Sequence, residues 1–298
     1  MLPIAVAVGA SLLREKSASA LGRAVPKLRL DALTDGSGSK DVNALFRTAI
    51  ASQPEREQRL LAACAVCVQE GCWLPLAARI AELSDDDAED AADRLVHSSL
   101  LRVSDRERQR FQLHALLREQ VRVVQGKDGL TKLQELHAAT LEGLFEDREA
   151  RWRDCRECLE EIIPAAEYLW GEKAVSREGW ITYRGYSLGR RVGEMDAAYR
   201  IIDREARFWV GREDREAKEN LQRTYGNQAL ILQDWGRLEE AMALHKKKEA
   251  ICLELGDKDG LQVSYGNQAE IQRAWGRLEE ALALHKKKEA IALGVCRE

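Results

Sequence analysis

Proline fills only five of the 298 positions and aromatic residues only 6% of the chain. That leaves little of the residue stock from which β-sandwiches and turn-rich folds are built. Bilayer-length apolar runs are missing too: the best candidate, Met1–Leu13, is about a dozen residues, too short for a hydrocarbon core of roughly 30 Å. Basic charge does not dominate. Lysine and arginine total 46 against 50 acidic residues, a net of −4, so there is no general attraction for a polyanion and nucleic-acid binding would need a local patch. No Gly-x-x-x-x-Gly-Lys-[Ser/Thr] occurs. The backbone nest, the lysine and the magnesium-binding hydroxyl that cradle a nucleotide triphosphate are therefore missing, and the chain by itself is not expected to hydrolyse ATP. No Ser or Cys nucleophile comes with a placed base, and the acidic run Asp85–Asp93 reads as a helix start.

A secretory signal is also missing. No positive charge precedes the apolar start, and Arg14 and Lys16 stand between it and the small residues Ala18-Ser-Ala20. With an odd count of seven cysteines, this points to reduced thiols and a cytoplasmic location. The pairs Cys64/Cys67 and Cys155/Cys158 have zinc-like spacing, but both lie in helical patterns, about ninety residues apart, with no histidine at finger distance. They are expected to be buried thiols, with no metal bound.

What is present is helix and repetition. Charged residues make up 32% of the chain, with Ala, Leu, Glu and Arg abundant, a helical composition. Tyr225-Gly-Asn-Gln-Ala229 returns as Tyr265–Ala269, and Trp235-Gly-Arg-Leu-Glu-Glu-Ala241 returns as Trp275–Ala281. Across Tyr225–Leu253 and Tyr265–Leu293, 23 of 29 positions are identical. Such identity suggests recent duplication and cannot single out functional residues. A helical repeat of this length marks stacked helix pairs, each burying its apolar face on its neighbours.

The length exceeds that of a usual single core, so two or three domains are expected. An apolar helix in 1–34 carries Ile4, Val6, Val8, Leu12 and Leu13 nearly all round and expects to be covered. A loop at Asp35–Lys40 closes it. Residues 41–125 read as helices carrying Val42, Leu45, Phe46 and Ile50, then Leu60, Leu61, Cys64 and Val68, a short helix near Trp73, and a fourth capped by Ser84. Two apolar runs, Leu100–Val103 and Phe111–Leu113, then predict a β-hairpin, and a helix over Ala115–Val124 closes the unit. Residues 126–192 predict a bridge of degenerate helical hairpins, and 193–298 the repeats, with Val192–Ala198 a decayed copy of Trp235–Ala241. The fold class expected is mostly α: a winged-helix domain with a small β-hairpin, followed by an α-solenoid of helical hairpins.

Two family resemblances attach to these residues. Leu2-Pro3-Ile4-Ala5 resembles the Gly-Leu-Pro-Leu-Ala motif of NB-ARC and related STAND signal-transduction ATPases. Leu95–Leu101 and Phe111-Gln-Leu-His114-Ala-Leu-Leu-Arg118 resemble the last part of their winged helix. The resemblance implies that Pro3 and His114 match nucleotide-contacting positions, although Met1 and Ala115 replace the family's glycine and aspartate. It also implies that ATP or ADP belongs to an ATPase core outside this chain, in cis or in trans, with no cofactor in the chain itself. The Asn-x-Ala and Gly-x-Leu-x-x-Ala elements of the repeats resemble kinesin-light-chain-like tetratricopeptide repeats. Together these imply a regulatory, partner-sensing module that binds a protein or peptide ligand.

Candidate partner-binding residues are Arg223, Asn227, Leu230, Asn267 and Glu270, on the helix that faces the groove in such repeats. Asn227 and Asn267 can clamp a peptide backbone, an amide being both donor and acceptor, or can bond within the repeat. His114 reads as a cap or packing residue in preference to a nucleotide sensor, and Lys246–Lys248 and Lys286–Lys288 as solvated helix ends in preference to phosphate sites. His245 and His285 are expected to fill the large-residue slot of the second repeat helix. A stand-alone adaptor or a DNA-binding regulator is the alternative, but against the latter Ser84–His97, which would have to read the groove, holds six acidic residues and one arginine. Neither DNA nor membrane is an expected partner. Leu230 and Leu232 become Glu270 and Gln272 in the last repeat, a partial cap, while Leu278, Leu282, Ile291 and Leu293 keep its final helix apolar. Fraying, self-association or cover by further repeats is expected there.

Overall fold

The computed structural model describes residues 3–15, 39–69, 71–147, 151–171 and 175–294. It is mostly α, with one small sheet, and gathers into two compact units, Met1–Ala174 and Val175–Glu298. The expected bridge 126–192 spans both. No described helix is long and apolar enough to cross a membrane.

The first unit opens with α1 (Pro3–Glu15), which packs Ala5 and Val8 against α2 (Ser39–Ala51) and leaves Val6 half exposed. Most of the expected loop Asp35–Lys40 lies outside the described residues, and its last two positions already belong to α2. Next come α3 (Glu55–Cys64), β1 (Cys72–Trp73), α4 (Leu74–Ile80) and α5 (Asp85–His97). Ser84 caps α5 by accepting from the Asp87 N–H at 3.2 Å, and three aspartates occupy its first turn, where the helix dipole favours them.

The hairpin consists of β2 (Arg102–Asp105) and β3 (Arg110–Gln112), starting two residues later than the apolar run predicts because Leu100 and Leu101 are buried in the core. β1 adds a third strand, giving the antiparallel order β1-β3-β2 with Cys72 opposite Phe111. A two-residue strand has no periodicity to read, which is why the sequence shows only two. The closing helix runs well past Val124: α6 spans Ala115–Glu146, and Gly126, at φ 65° and ψ −180°, breaks it into two segments. Such a left-handed φ suits glycine. The short α7 (Trp152–Glu157), a 3₁₀ turn (Leu159–Glu161) and α8 (Ile162–Gly171) complete the unit, with α8 packed on α6. Phe46, Leu60, Leu76, Leu95, Leu117 and Leu141 lie fully buried within it.

The second unit is a row of antiparallel helices: α9 (Val175–Val192), α10 (Met195–Trp209), α11 (Arg215–Asp234), α12 (Leu238–Leu255), α13 (Lys258–Ala274) and α14 (Leu278–Ala292), each packed on the next. Three turns are copies. Gly193, Gly236 and Gly276 sit at φ 83°, 74° and 75°, and the following residue donates back five positions, Glu194 to Gly189 at 2.8 Å, Arg237 to Leu232 at 2.8 Å and Arg277 to Gln272 at 2.9 Å. This is the Schellman ending of a helix, which needs a left-handed residue. Gly236 does not serve close helix approach: a Cβ there would meet nothing within 4 Å, and the backbone angle is what selects glycine. Close approach occurs instead at Gly189, where a Cβ would lie 2.9 Å from that of Ala198. Ala229, Leu232, Ala241, Met242 and Ile271 form the core, flanked by Trp235 and Trp275.

Candidate functional site: a cleft in the repeat unit

A cleft of about 630 Å³ opens among α9 to α13. One stripe of α11 supplies most of its wall: Glu216, Asn220, Arg223, Asn227 and Leu230 recur at the three- and four-residue steps that share a helix face. Tyr183 comes from α9, Glu205 from α10, Lys248 from α12, and Val263 and Asn267 from α13. Four of the residues singled out by the sequence, Arg223, Asn227, Leu230 and Asn267, thus share one wall and floor. Glu270 does not line the cleft and pairs with Arg273 on its own helix.

The polar groups differ in whether they are already engaged. Arg223 donates to the Asn220 side-chain oxygen, and Thr224 donates to the Asn220 carbonyl at 2.8 Å. The amides of Asn227 and Asn267 are half-buried and make no hydrogen bond among the described residues. The neighbouring glutamine amides bond instead to the preceding hairpin: Gln228 reaches Asp203 of α10 at 3.2 Å, and Gln268 reaches Glu249 of α12 at 2.7 Å.

Two ionisable groups that sequence reasoning missed lie here. Glu205 is only 8% exposed, and burial pushes its carboxyl up to about 7 against the pull of a hydrogen bond from Thr182 and the charge of Arg223. Lys248 is 7% exposed, and burial lowers its ammonium below the ordinary lysine value. It has no ion pair among the described residues. The solvated-end reading of Lys246–Lys248 therefore fails at Lys248, while Lys247 lies 5.6 Å from the ring of Tyr225. Gly226 makes room for the buried lysine, since a Cβ there would stand 3.2 Å from its Nζ. That glycine, one turn from the candidate Arg223 and aligned with Gly266 near Lys288, is the signal that was available.

The remaining singled-out residues lie elsewhere. His114 precedes α6 as its N-cap, its Nδ1 accepting from the Leu116 N–H at 3.3 Å. Pro3 is the first residue of α1, and its side chain is outside what the structure describes. His245 is fully buried and contacts Gln233 at 3.2 Å, whereas His285 is exposed because no helix follows α14 among the described residues.

No family model matches the chain, and no curated protein matches it. Among solved structures, it is similar to BtubC (BKLC) from P. vanneervenii at 13% identity and a TM-score of 0.40, covering 99% of this chain and 93% of that one. It is also similar to a signal-transduction ATPase with numerous domains (STAND) that carries a tetratricopeptide repeat sensor, from Pyrococcus horikoshii, at 13% identity and a TM-score of 0.27. There it covers 96% of this chain and 59% of the other. Likenesses this distant decide nothing about activity.

Proposed function

We propose that this chain is a non-catalytic interaction module whose repeat unit binds an extended segment of a protein or peptide partner. The observation that carries this is the unengaged polarity of the cleft: two half-buried amides 40 positions apart in the duplicated repeats, and a buried lysine that makes no ion pair among the described residues, Asp257 acting on it by its charge alone. Side-chain amides can clamp a backbone through one donor and one acceptor each. A desolvated ammonium favours a carboxylate, because such a charge is costly until it is paired. The ligand chemistry that fits is an extended backbone carrying an acidic group toward α12.

Residues 41–125 we read as a winged helix, and the chain as the sensor half of a STAND-type signalling ATPase whose nucleotide core lies outside it. The motif resemblance at Pro3 and around His114 supports this. The reading gives DNA no role: Asp85, Asp86, Asp87, Glu89, Asp90 and Asp93 are all exposed on α5, a surface that repels phosphates.

Selection from a displayed peptide library on the immobilised chain tests the proposal. Acidic extended peptides should be enriched, and their binding should fall with Lys248→Met and with Asn227→Ala. No enrichment, or peptides indifferent to both substitutions, would refute it.

A further inference from the structure

In the first unit, the fold brings to two neighbouring cysteines a glutamate that the sequence keeps far from them. The Sγ atoms of Cys67 and Cys72 and a carboxylate oxygen of Glu161 all lie within 4.8 Å of one another, and all three residues are buried. His137 is 1% exposed, and its Nε2 stands 3.3 Å from Glu161 Oε2. That contact lacks hydrogen-bond geometry, so His137 Nε2 and Glu161 Oε1 are both buried without a partner. Glu161 Oε2 accepts one bond, from the Val68 N–H at 2.8 Å. A buried carboxylate oxygen and a buried imidazole nitrogen left unmatched are each destabilising, and the carboxylate that the imidazole touches is the one that faces the two thiols. The nearby guanidinium of Arg118 is already committed to the carbonyls of Ala65, Cys67 and Val68.

We propose that Cys67, Cys72, Glu161 and His137 form a structural zinc site. Tetrahedral zinc, with bonds of about 2.3 Å to sulfur and about 2.0 Å to nitrogen or oxygen, sets its ligands roughly 3.3–3.8 Å apart, and the Cys67, Cys72 and Glu161 ligand atoms already lie within 4.8 Å of one another. Two thiolates with an imidazole and a carboxylate suit zinc rather than a hard cation such as magnesium or calcium. On binding, each thiol releases its proton to solvent as its sulfur bonds the ion, and His137 supplies neutral Nε2. Cys64, a further buried thiol of this unit, stays protonated, its interaction with Cys72 and its burial raising it well above the ordinary cysteine value. The ion would join the segment after α3, strand β1, the second half of α6 and the 3₁₀ turn before α8, linking the sheet to the helices behind it. No short sequence spacing shows such a site, because its ligands come from four elements.

The test uses the full chain, purified from zinc-supplemented medium and analysed by elemental mass spectrometry. About one zinc per chain is expected. Cys67→Ser with Cys72→Ser should lose it, and Cys252→Ser, a buried cysteine of the repeat unit, should keep it. Because the double variant can misfold, cobalt substitution of the unaltered chain gives an independent reading: tetrahedral d–d bands with a thiolate-to-cobalt charge-transfer band. His137→Gln should weaken zinc against a competing chelator, and an unchanged affinity would overturn its assignment as the fourth ligand. An unaltered chain that takes up neither metal, or intact mass after alkylation showing a Cys67–Cys72 disulfide, would overturn the site.

Discussion

Glu205 and His245 are buried groups of the repeat unit whose titrations oppose each other. The Glu205 carboxyl moves from 4.5 up to about 7, so the neutral form is the one the fold prefers. Its contribution is fully present below pH 4.5 and is lost as pH rises through about 7, on the order of 3 kcal/mol for a shift of that size. His245 goes the other way, lowered from 6.5 to about 4 by burial and by Lys248. Its contribution is present above pH 6.5 and is lost as pH falls through 4. The two slopes offset each other in the unaltered chain, so the informative quantity is a difference. Glu205→Gln should stabilise the chain relative to the unaltered one at pH 8 and lose that advantage by pH 4.5, measured by urea denaturation. A pH-independent difference would mean that the carboxyl is solvated. Asn227→Ala with Asn267→Ala, removing amides that hold nothing together, should weaken a selected peptide by about 1–3 kcal/mol in total. The melting temperature should barely move, and its collapse would show instead that these amides support the repeats.

Turns and terminal helices behave as the repeat pattern requires, with one device per turn. Gly276, at φ 75° with open space around its Cα, should cost about 1 kcal/mol on replacement by alanine, all of it backbone strain. A neutral result in thermal denaturation would show that the turn relaxes. At the other end of the scale of burial, α14 buries only Ala281 and exposes 66% of Leu278 and 55% of Leu282, and Leu293 just after it is 68% exposed. Light scattering is expected to show mass rising with concentration, and Leu278→Ser with Leu282→Ser should abolish the rise. A chain monomeric at all concentrations would contradict this. Helices and repeats were legible because their signal is periodic: α11 to α14 follow from the duplicated motif alone. The turn glycines were visible too, although their reason lies in φ and not in packing. The third strand escaped notice because two residues carry no period. Lys248 was misread because sequence shows a charged run but not which of its members turns inward.

The whole molecule holds two units, a first of helices around a small sheet and a second of repeated helices that carries the cleft proposed to take a partner. With no nucleotide-cradling loop anywhere in the sequence and an acidic exposed face on α5, the purified chain should show neither saturable ATP binding nor sequence-specific binding of duplex DNA at low salt. Filter binding checks both, and submicromolar specific DNA binding would overturn the assignment. The central claim is that the partner lies in the cleft lined by α11 and α13. Hydrogen exchange of the full chain, with and without a library-selected acidic peptide, measures this directly. Added protection should fall on residues 216–230 and 263–267. Protection confined to 278–293 or to the first unit, with 216–230 unchanged, would contradict it.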